Sequence, residues 1–278
     1  MRSSVWTAGA LLVAGLLIVS MWSGSDTREG GAQELTISHA HGLAVDVANP
    51  NRLLIATHHG LLQLENDTNL SRIGESKDDL MGFTPHPTDA AVFFSSGHRL
   101  RGGNLGFQKS LDNGMSWQKV SDGLAGPVDF HSMAVSRANP NTIFGSFRRL
   151  QRSSDGGVTW EYAAGSIERI SLSTHPRSEH APYAVTRDAV QISEDRGASW
   201  KSLSAQLEGA AVTVFALHAD EKTALTYSQG LGGMGKSVDG GVTWERIGET
   251  FGGGIVLYIA FSAAEPTLVY ALTDSQGV

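Results

Sequence analysis

Ser153-Ser154-Asp155-Gly156-Gly157-Val158-Thr159-Trp160 is the stretch that decides the fold, because the chain repeats it. Three further segments have the same form, S-x-D-x-G-x-[ST]-W, and they begin at Ser110, Ser193 and Ser237. The steps between successive serines are 43, 40 and 44 residues. A repeat of about 40 residues in a chain of short strands is typical of a β-propeller, in which each repeat forms one blade.

The segments between these repeats predict about four short strands in every unit, joined by turn residues. No amphipathic helix of useful length is predicted after residue 24. The predicted first strands of the six units are 41–46, 81–87, 130–135, 169–172, 212–217 and 256–261. The sequence therefore predicts an all-β propeller over residues 39–278, with six blades of four short antiparallel strands and the repeated hairpin in four of them.

The sixth unit reaches Val278 where the other units have their repeated segment. The last blade is therefore predicted to lack its C-terminal outer strand. Two explanations stay open: either an N-terminal segment such as 34–38 completes this blade, or the chain is cut short.

Composition excludes several classes of function. The net charge of −7 over 278 residues argues against a nucleic-acid-binding protein, which needs a basic surface. The absence of cysteine excludes disulfides, thiolate metal sites and a lipoprotein anchor.

The N-terminus is predicted to direct the chain out of the cytoplasm. Arg2 precedes an apolar run over residues 5–22, which has the charge pattern of a signal peptide and is long enough to span a bilayer. Residues 1–23 are interpreted as a signal peptide or membrane anchor, and residues 24–38 as a linker. Both interpretations place the propeller in the periplasm, at the cell surface or in the medium.

The repeated segment resembles the Asp-box, or BNR repeat, of sialidase-like β-propellers, where it forms the turn between the third and fourth strands of a blade. The resemblance implies a structural role for the four repeated aspartates, and geometry agrees. Equivalent residues on four blades lie around a circle and cannot converge on one substrate. These structural residues are Asp112, Asp155, Asp195 and Asp239.

A narrower resemblance is carried by His39-Ala-His41-Gly-Leu, Thr57-His58-His59-Gly-Leu and Asp129-Phe-His131-Ser-Met-Ala-Val. In these segments the chain is similar to exported bacterial proteins labelled F510_1955 family glycosylhydrolases. That resemblance implies glycoside hydrolysis. A shared fold does not establish an activity, so the site residues have to be considered on their own.

The sequence gives hydrolysis little support. The Phe/Tyr-Arg-Ile-Pro motif of sialidases is absent. Other glycosidases need two carboxylates across the scissile bond. The nearest candidates are Asp129 and either Asp78 or Asp79, but nothing in their spacing distinguishes them.

Histidines are the more informative residues. His39, His41 and His131 lie at entrances to innermost strands, whereas three other histidines lie at ends of second strands. In a propeller these positions open on the same face, so six histidines are predicted to gather there. Clustered imidazoles are typical ligands of copper or zinc. The candidate metal ligands are His39, His41, His58, His59, His98 and His131.

Three functional hypotheses follow. The first is an exported binding or assembly module with the histidine face as its site, holding copper or zinc. The second is a sialidase-like glycosidase that acts on extracellular glycans from the same face. The third is a protein-interaction scaffold that uses the channel rim. The expected partners are the membrane, through an uncleaved N-terminus, and a protein or glycan ligand.

Overall fold

The structure, a computed structural model, describes residues 35–37, 39–163, 171–248 and 254–274. These residues form 22 β-strands and a single turn of 3-10 helix at Ala205–Leu207. The first sheet contains β1 (Ala40–Val45), β2 (Arg52–Thr57), β3 (Gly60–Glu65) and β4 (Asn69–Ile73). The second contains β5 (Asp79–Pro85), β6 (Phe93–His98), β7 (Phe107–Ser110) and β8 (Gln118–Ser121).

The remaining four sheets follow the same order along the chain. The third contains β9 (Ser132–Val135), β10 (Ile143–Phe147), β11 (Arg149–Ser153) and β12 (Glu161–Tyr162). The fourth contains β13 (Ser171–Thr174), β14 (Pro182–Val185), β15 (Val190–Ile192) and β16 (Lys201–Ser202). The fifth contains β17 (Val212–Leu217), β18 (Ala224–Ser228), β19 (Gly233–Ser237) and β20 (Glu245–Arg246). The last contains β21 (Val256–Phe261) and β22 (Val269–Thr273).

The sheets form a β-propeller of small antiparallel blades, as the sequence predicts. Neighbouring innermost strands contact each other in sequence order, and β21 contacts β1, so the ring is closed. The prediction of six four-stranded blades is wrong. The described residues form five such blades, and the final sheet has two described strands, β21 and β22.

The repeated segments are the turns between the third and fourth strands of blades two to five. In the turn after β11, Asp155 Oδ1 accepts hydrogen bonds from Thr159 N at 2.9 Å and from Ser153 Oγ at 2.8 Å. Gly157 N donates to Ser153 Oγ at 2.8 Å. The other three copies have the same pattern. Each aspartate is therefore occupied within its own turn.

The glycine of each repeat lets its turn close onto the preceding blade. Gly157 has φ +88°, and a Cβ there would lie 2.0 Å from Cε1 of Phe107. Phe107 is fully buried, with ring centroids 5.9 Å from Phe94 and 5.3 Å from Trp160. An aromatic stack thus joins blade two to blade three.

The repeated aspartates predict a specific acid sensitivity. Hydrogen bonds from Thr159 lower the pKa of Asp155 to about 2, and the equivalent hydroxyls do the same for Asp195 and Asp239. A carboxyl whose pKa is depressed in the folded state stabilises the fold above its ordinary pKa, and this stabilisation is lost as the pH falls through the folded-state value. We therefore expect the unfolding midpoint in urea to fall steeply between about pH 4 and pH 2. An Asp155→Asn variant with the same pH profile as the wild type would contradict this.

The segment before β1 packs between the first and last sheets. Ile37 is buried and Leu35 partly buried, and both belong to a cluster that includes Leu53, Tyr270 and Leu272. Leu35 to Ile37 form no strand, so these three residues add none to the last sheet.

Among the described residues, no helix is long and apolar enough to cross a membrane. The predicted signal peptide or anchor, residues 1–23, lies outside the described residues, as does most of the linker.

Candidate functional site

One face of the ring carries the entrances to the innermost strands and the loops between second and third strands. His39 precedes β1 and His41 lies within it, while His131 precedes β9. His58 and His59 follow β2, and His98 is the last residue of β6. We call this surface the His/Asp face, and it comprises His39, His41, His58, Asp79, His98, Asp129 and His131.

Asp79 is the centre of this face. It begins β5 and is 2% exposed. Its Oδ2 contacts Nδ1 of His58 and lies 3.2 Å from Nε2 of His98, and its Oδ1 lies 3.5 Å from Nε2 of His41. A single buried carboxylate therefore faces three imidazoles from two blades.

Two of these atoms lack the partners that buried polar groups normally have. His41 Nε2 and Asp79 Oδ1 are both buried, and neither has a hydrogen-bond partner among the described residues. Their separation of 3.5 Å is too long for a good hydrogen bond. Two ligands of one tetrahedral zinc ion, each about 2.0–2.1 Å from the metal, lie roughly 3.3 Å apart. The separation therefore fits two ligands of one ion better than it fits a hydrogen bond.

The local electrostatics keep His41 able to act as a ligand. Burial lowers the pKa of His41 to about 4, since the neighbouring Asp79 opposes this shift only in part and His58 adds to it. The imidazole is therefore neutral at pH 7, with one ring nitrogen free to donate a lone pair. Its ring centroid lies 4.3 Å from that of His58, in an edge-on arrangement.

Asp129 and His131 form a second carboxylate–imidazole pair on the same face. His131 Nε2 lies 3.3 Å from Asp129 Oδ2, and the side chains are 71% and 10% exposed. Burial raises the pKa of Asp129, and the charge of Asp79 adds to this, whereas His131 and His98 oppose it. Asp129 Oδ1 is buried and has no hydrogen-bond partner among the described residues.

The structure brings most of the six predicted histidines together, but not all to one point. Atoms of His41, His58 and Asp79 converge within 4.8 Å of one another, so these residues could hold a metal ion; we call them the three-ligand group. The ring of His39 lies beside that of His58, with a centroid distance of 5.3 Å and an angle of 51° between the ring planes. His59 interacts through its backbone, whose N–H donates to Thr57 Oγ1 at 3.1 Å.

Sequence reasoning named Asp79 only as an alternative to Asp78 for hydrolysis, and so missed its central position. Asp78 has a different role, because its Oδ1 accepts the N–H of Leu100 at 3.2 Å. The sequence repeat does contain a signal for this position. His39, Asp79 and Asp129 each stand seven residues before the residue that caps the turn after the innermost strand, so the three occupy equivalent places in their blades.

Those turn-capping residues explain several histidines outside the site. Nδ1 of His86 accepts Asp89 N at 3.1 Å, and Nδ1 of His175 and of His218 accept backbone N–H groups in the same way. Ser136 and Ser262 do so with their hydroxyls. These histidines cap turns at the opposite end of the innermost strands. His180 lies nearby and accepts Arg196 Nε at 2.7 Å.

Comparison with known proteins defines the class as a β-propeller. No known family matches the sequence, and no curated protein is detectably similar to it. The GH74 xyloglucanase of Xanthomonas campestris is similar in structure, with a TM-score of 0.58 and 17% identity over 86% of this chain and 43% of that one. An ancestral GH74 enzyme has a TM-score of 0.55 and 12% identity over 82% of this chain and 33% of its own.

YCF48 from Cyanidioschyzon merolae is similar over almost its whole length. Its TM-score is 0.53 and its identity 12%, over 87% of this chain and 94% of that one. By contrast, the chain spans less than half the length of the two GH74 enzymes. At these identities the comparisons show a shared fold.

Proposed function

We propose that this chain is an exported binding module that captures its ligand on the His/Asp face through a divalent transition metal. His41, His58 and Asp79 hold the ion. The observation that carries the proposal is the facing pair His41 Nε2 and Asp79 Oδ1, which lie 3.5 Å apart, are both buried, and find no hydrogen-bond partner in the described part of the chain. Leaving such groups unsatisfied costs about 1–3 kcal/mol each, which a bound ion would recover.

The donor set suits zinc and does not suit Cu(I). Two imidazoles and one carboxylate are the ligands of open zinc sites, where a fourth position stays free, whereas Cu(I) prefers sulfur. His98 lies beside Asp79 and His39 lies beside His58, so both can orient the side chains that hold the ion. The free position suits an oxygen donor, such as a carboxylate or hydroxyl of a protein or glycan ligand.

Zinc titration of the full chain in a mild detergent tests the proposal. We expect one tight site in calorimetry, and a loss of affinity of at least about tenfold in His41→Gln, because even supporting residues of metal sites contribute 10–100-fold. His175→Ser is the matched control, since serine occupies the same capping position at Ser136 and Ser262. It should bind zinc as the wild type does. Absence of zinc and copper binding, or unchanged binding in His41→Gln, contradicts the proposal.

Glycoside hydrolysis is the second candidate, because Asp79 and Asp129 are two buried carboxylates on one face and burial raises the pKa of Asp129. A raised pKa suits a general acid. Against it, Asp79 is enclosed by three imidazoles. Turnover of fluorogenic glycosides by the wild type, lost in Asp129→Asn and insensitive to a chelator, would favour this candidate over the binding module.

A further inference from the structure

Arg137 lies at the centre of the ring, at the end opposite the His/Asp face. It follows the capping residue Ser136 after β9, and its Nη2 donates to Thr174 O at 3.0 Å and to Leu217 O at 2.8 Å. Thr174 ends β13 and Leu217 ends β17, so a guanidinium from blade three contacts the innermost strands of blades four and five. Three successive blades meet in this way only at the mouth of the central channel.

The charge of this guanidinium is not balanced by an acidic side chain. Among the described residues, no carboxylate forms an ion pair with Arg137, and its Nε and Nη1 have no hydrogen-bond partner. Neither nitrogen is enclosed, so both are accessible to a ligand. Burial lowers the pKa of Arg137, as expected for a cation that loses water without gaining an anion. Buried charges are normally paired, so the guanidinium points to an anionic partner.

The acidic side chains of the neighbouring turn are engaged elsewhere. Glu221 Oε1 lies 2.7 Å from Arg177 Nε, in an ion pair. Asp220 Oδ1 accepts two backbone N–H groups of its own turn, each at 2.8 Å. Since neither carboxylate pairs with Arg137, the partner that the geometry leaves room for is an external anion.

Two histidines beside the contacted carbonyls supply further donors. His175 directly follows Thr174, and His218 directly follows Leu217. Nδ1 of each ring accepts a backbone N–H at 3.2 Å, so the proton of the neutral imidazole is on Nε2. His175 Nε2 lies 3.8 Å from the Glu221 carboxylate, which is too long for a hydrogen bond. The Nε2–H group of His175 therefore remains available to a ligand.

A cation at this place is specific to blade three. In every other unit the residue that follows the turn-capping residue is uncharged. These residues are Val47, Pro87, Pro176, Ala219 and Ala263. The repeat itself therefore does not require a charge here, and Arg137 has a role of its own at this end of the channel.

We propose that Arg137 binds a small oxyanion, a carboxylate or a phosphate, at the channel mouth opposite the His/Asp face, with His175 and His218 as flanking donors. Guanidinium N–H groups match the oxygens of both anions in geometry and charge. The two bonds to backbone carbonyls hold the guanidinium in place, so its remaining N–H groups are oriented before the anion arrives. This site lies at the other end of the innermost strands from the proposed metal site and does not depend on it.

Anion titration tests the site. Inorganic phosphate and acetate are each titrated by calorimetry into the full chain in a mild detergent, at pH 7 and constant ionic strength. We expect one site in the wild type, and the anion that binds more tightly identifies the ligand as phosphate-like or carboxylate-like. Arg137→Gln should lose at least about tenfold in affinity, because hydrogen bonds to a charged group contribute about 1.5–3 kcal/mol.

His175→Ser and His86→Ser are a matched pair of variants. Serine keeps the capping bond, as Ser136 and Ser262 show. His175→Ser removes the donor beside Arg137 and should weaken anion binding about threefold or more. His86 caps the equivalent turn of blade two, where Arg137 makes no backbone contact, so His86→Ser should bind anions as the wild type does.

The outcomes are distinct from those of the zinc titration. No saturable binding of either anion by the wild type overturns the inference, and so does binding that persists in folded Arg137→Gln. Equal losses in His175→Ser and His86→Ser would mean that turn stability controls binding, and would overturn it too. Near-ultraviolet circular dichroism shows whether Arg137→Gln is folded; if it is not, the two serine variants decide. None of these results alters the proposed metal site.

Discussion

Replacing Asp79 by Asn is expected to lower zinc affinity by about 100-fold or more, above the 10–100-fold typical of residues that only support a ligand. The amide keeps the size of the side chain but removes the negative charge that three imidazoles face. It also replaces one oxygen by a donor group that cannot ligate a cation. Calorimetric titration with Zn²⁺ measures the loss.

Asp78→Asn is the matched control for this substitution. Asp78 is the adjacent carboxylate, but it accepts the N–H of Leu100 and lies outside the three-ligand group. An amide oxygen can accept the same bond, so zinc affinity should stay within twofold of the wild type. Equal losses in the two variants would mean that overall surface charge, and not the Asp79 site, governs zinc binding.

Replacing Phe107 by Ala is expected to cost about 3–5 kcal/mol of unfolding free energy, the range measured for large aromatic residues in cores. Phe107 is fully buried between Phe94 and Trp160, and Gly157 closes directly over its ring. Truncation therefore leaves a cavity in the joint between two blades. Urea unfolding followed by tryptophan fluorescence measures the effect.

Leu111→Ala is the control, because Leu111 is 59% exposed in a repeated turn. Its unfolding free energy should change by less than about 0.5 kcal/mol. If Phe107→Ala cost less than 1 kcal/mol, blades two and three would unfold independently, and the aromatic stack would not hold the ring together.

The repeat register allowed the fold to be predicted. The positions of Ser110, Ser153, Ser193 and Ser237 set the spacing of the blades, and the strands lie where that spacing puts them. The number of blades was predicted incorrectly, as six where the described residues form five four-stranded blades. The last unit has apolar strand patterns at 256–261 and 268–272, and a periodicity argument counts it as a blade although its described residues form only two strands.

The site was predicted in part, because topology determines which loops share a face. That argument located His41, His58 and His98, but it could not tell which of them meet. Contact depends on side-chain direction, and a register irregularity between Ala40 and Gly42 sets that direction at the start of β1. Asp79 was missed as the centre because its sequence signal, the position seven residues before a turn-capping residue, marks an equivalent place in each blade but not whether the side chain is buried.

The joint between β21 and β1 is where the two ends of the described chain meet. Ile37 and Tyr270 pack there, and Tyr270 Oη donates a hydrogen bond to Pro50 O at 3.3 Å. Unlike the other joints of the ring, it connects innermost strands that do not follow each other along the chain. We expect such a joint to open more readily than the interior of a blade. Amide hydrogens of β22 should therefore exchange with deuterium faster than those of β10. Because β1 forms one side of this joint and also carries His41, a ligand bound to His41 would slow the opening of the joint. The amide hydrogens of β22 would then exchange more slowly.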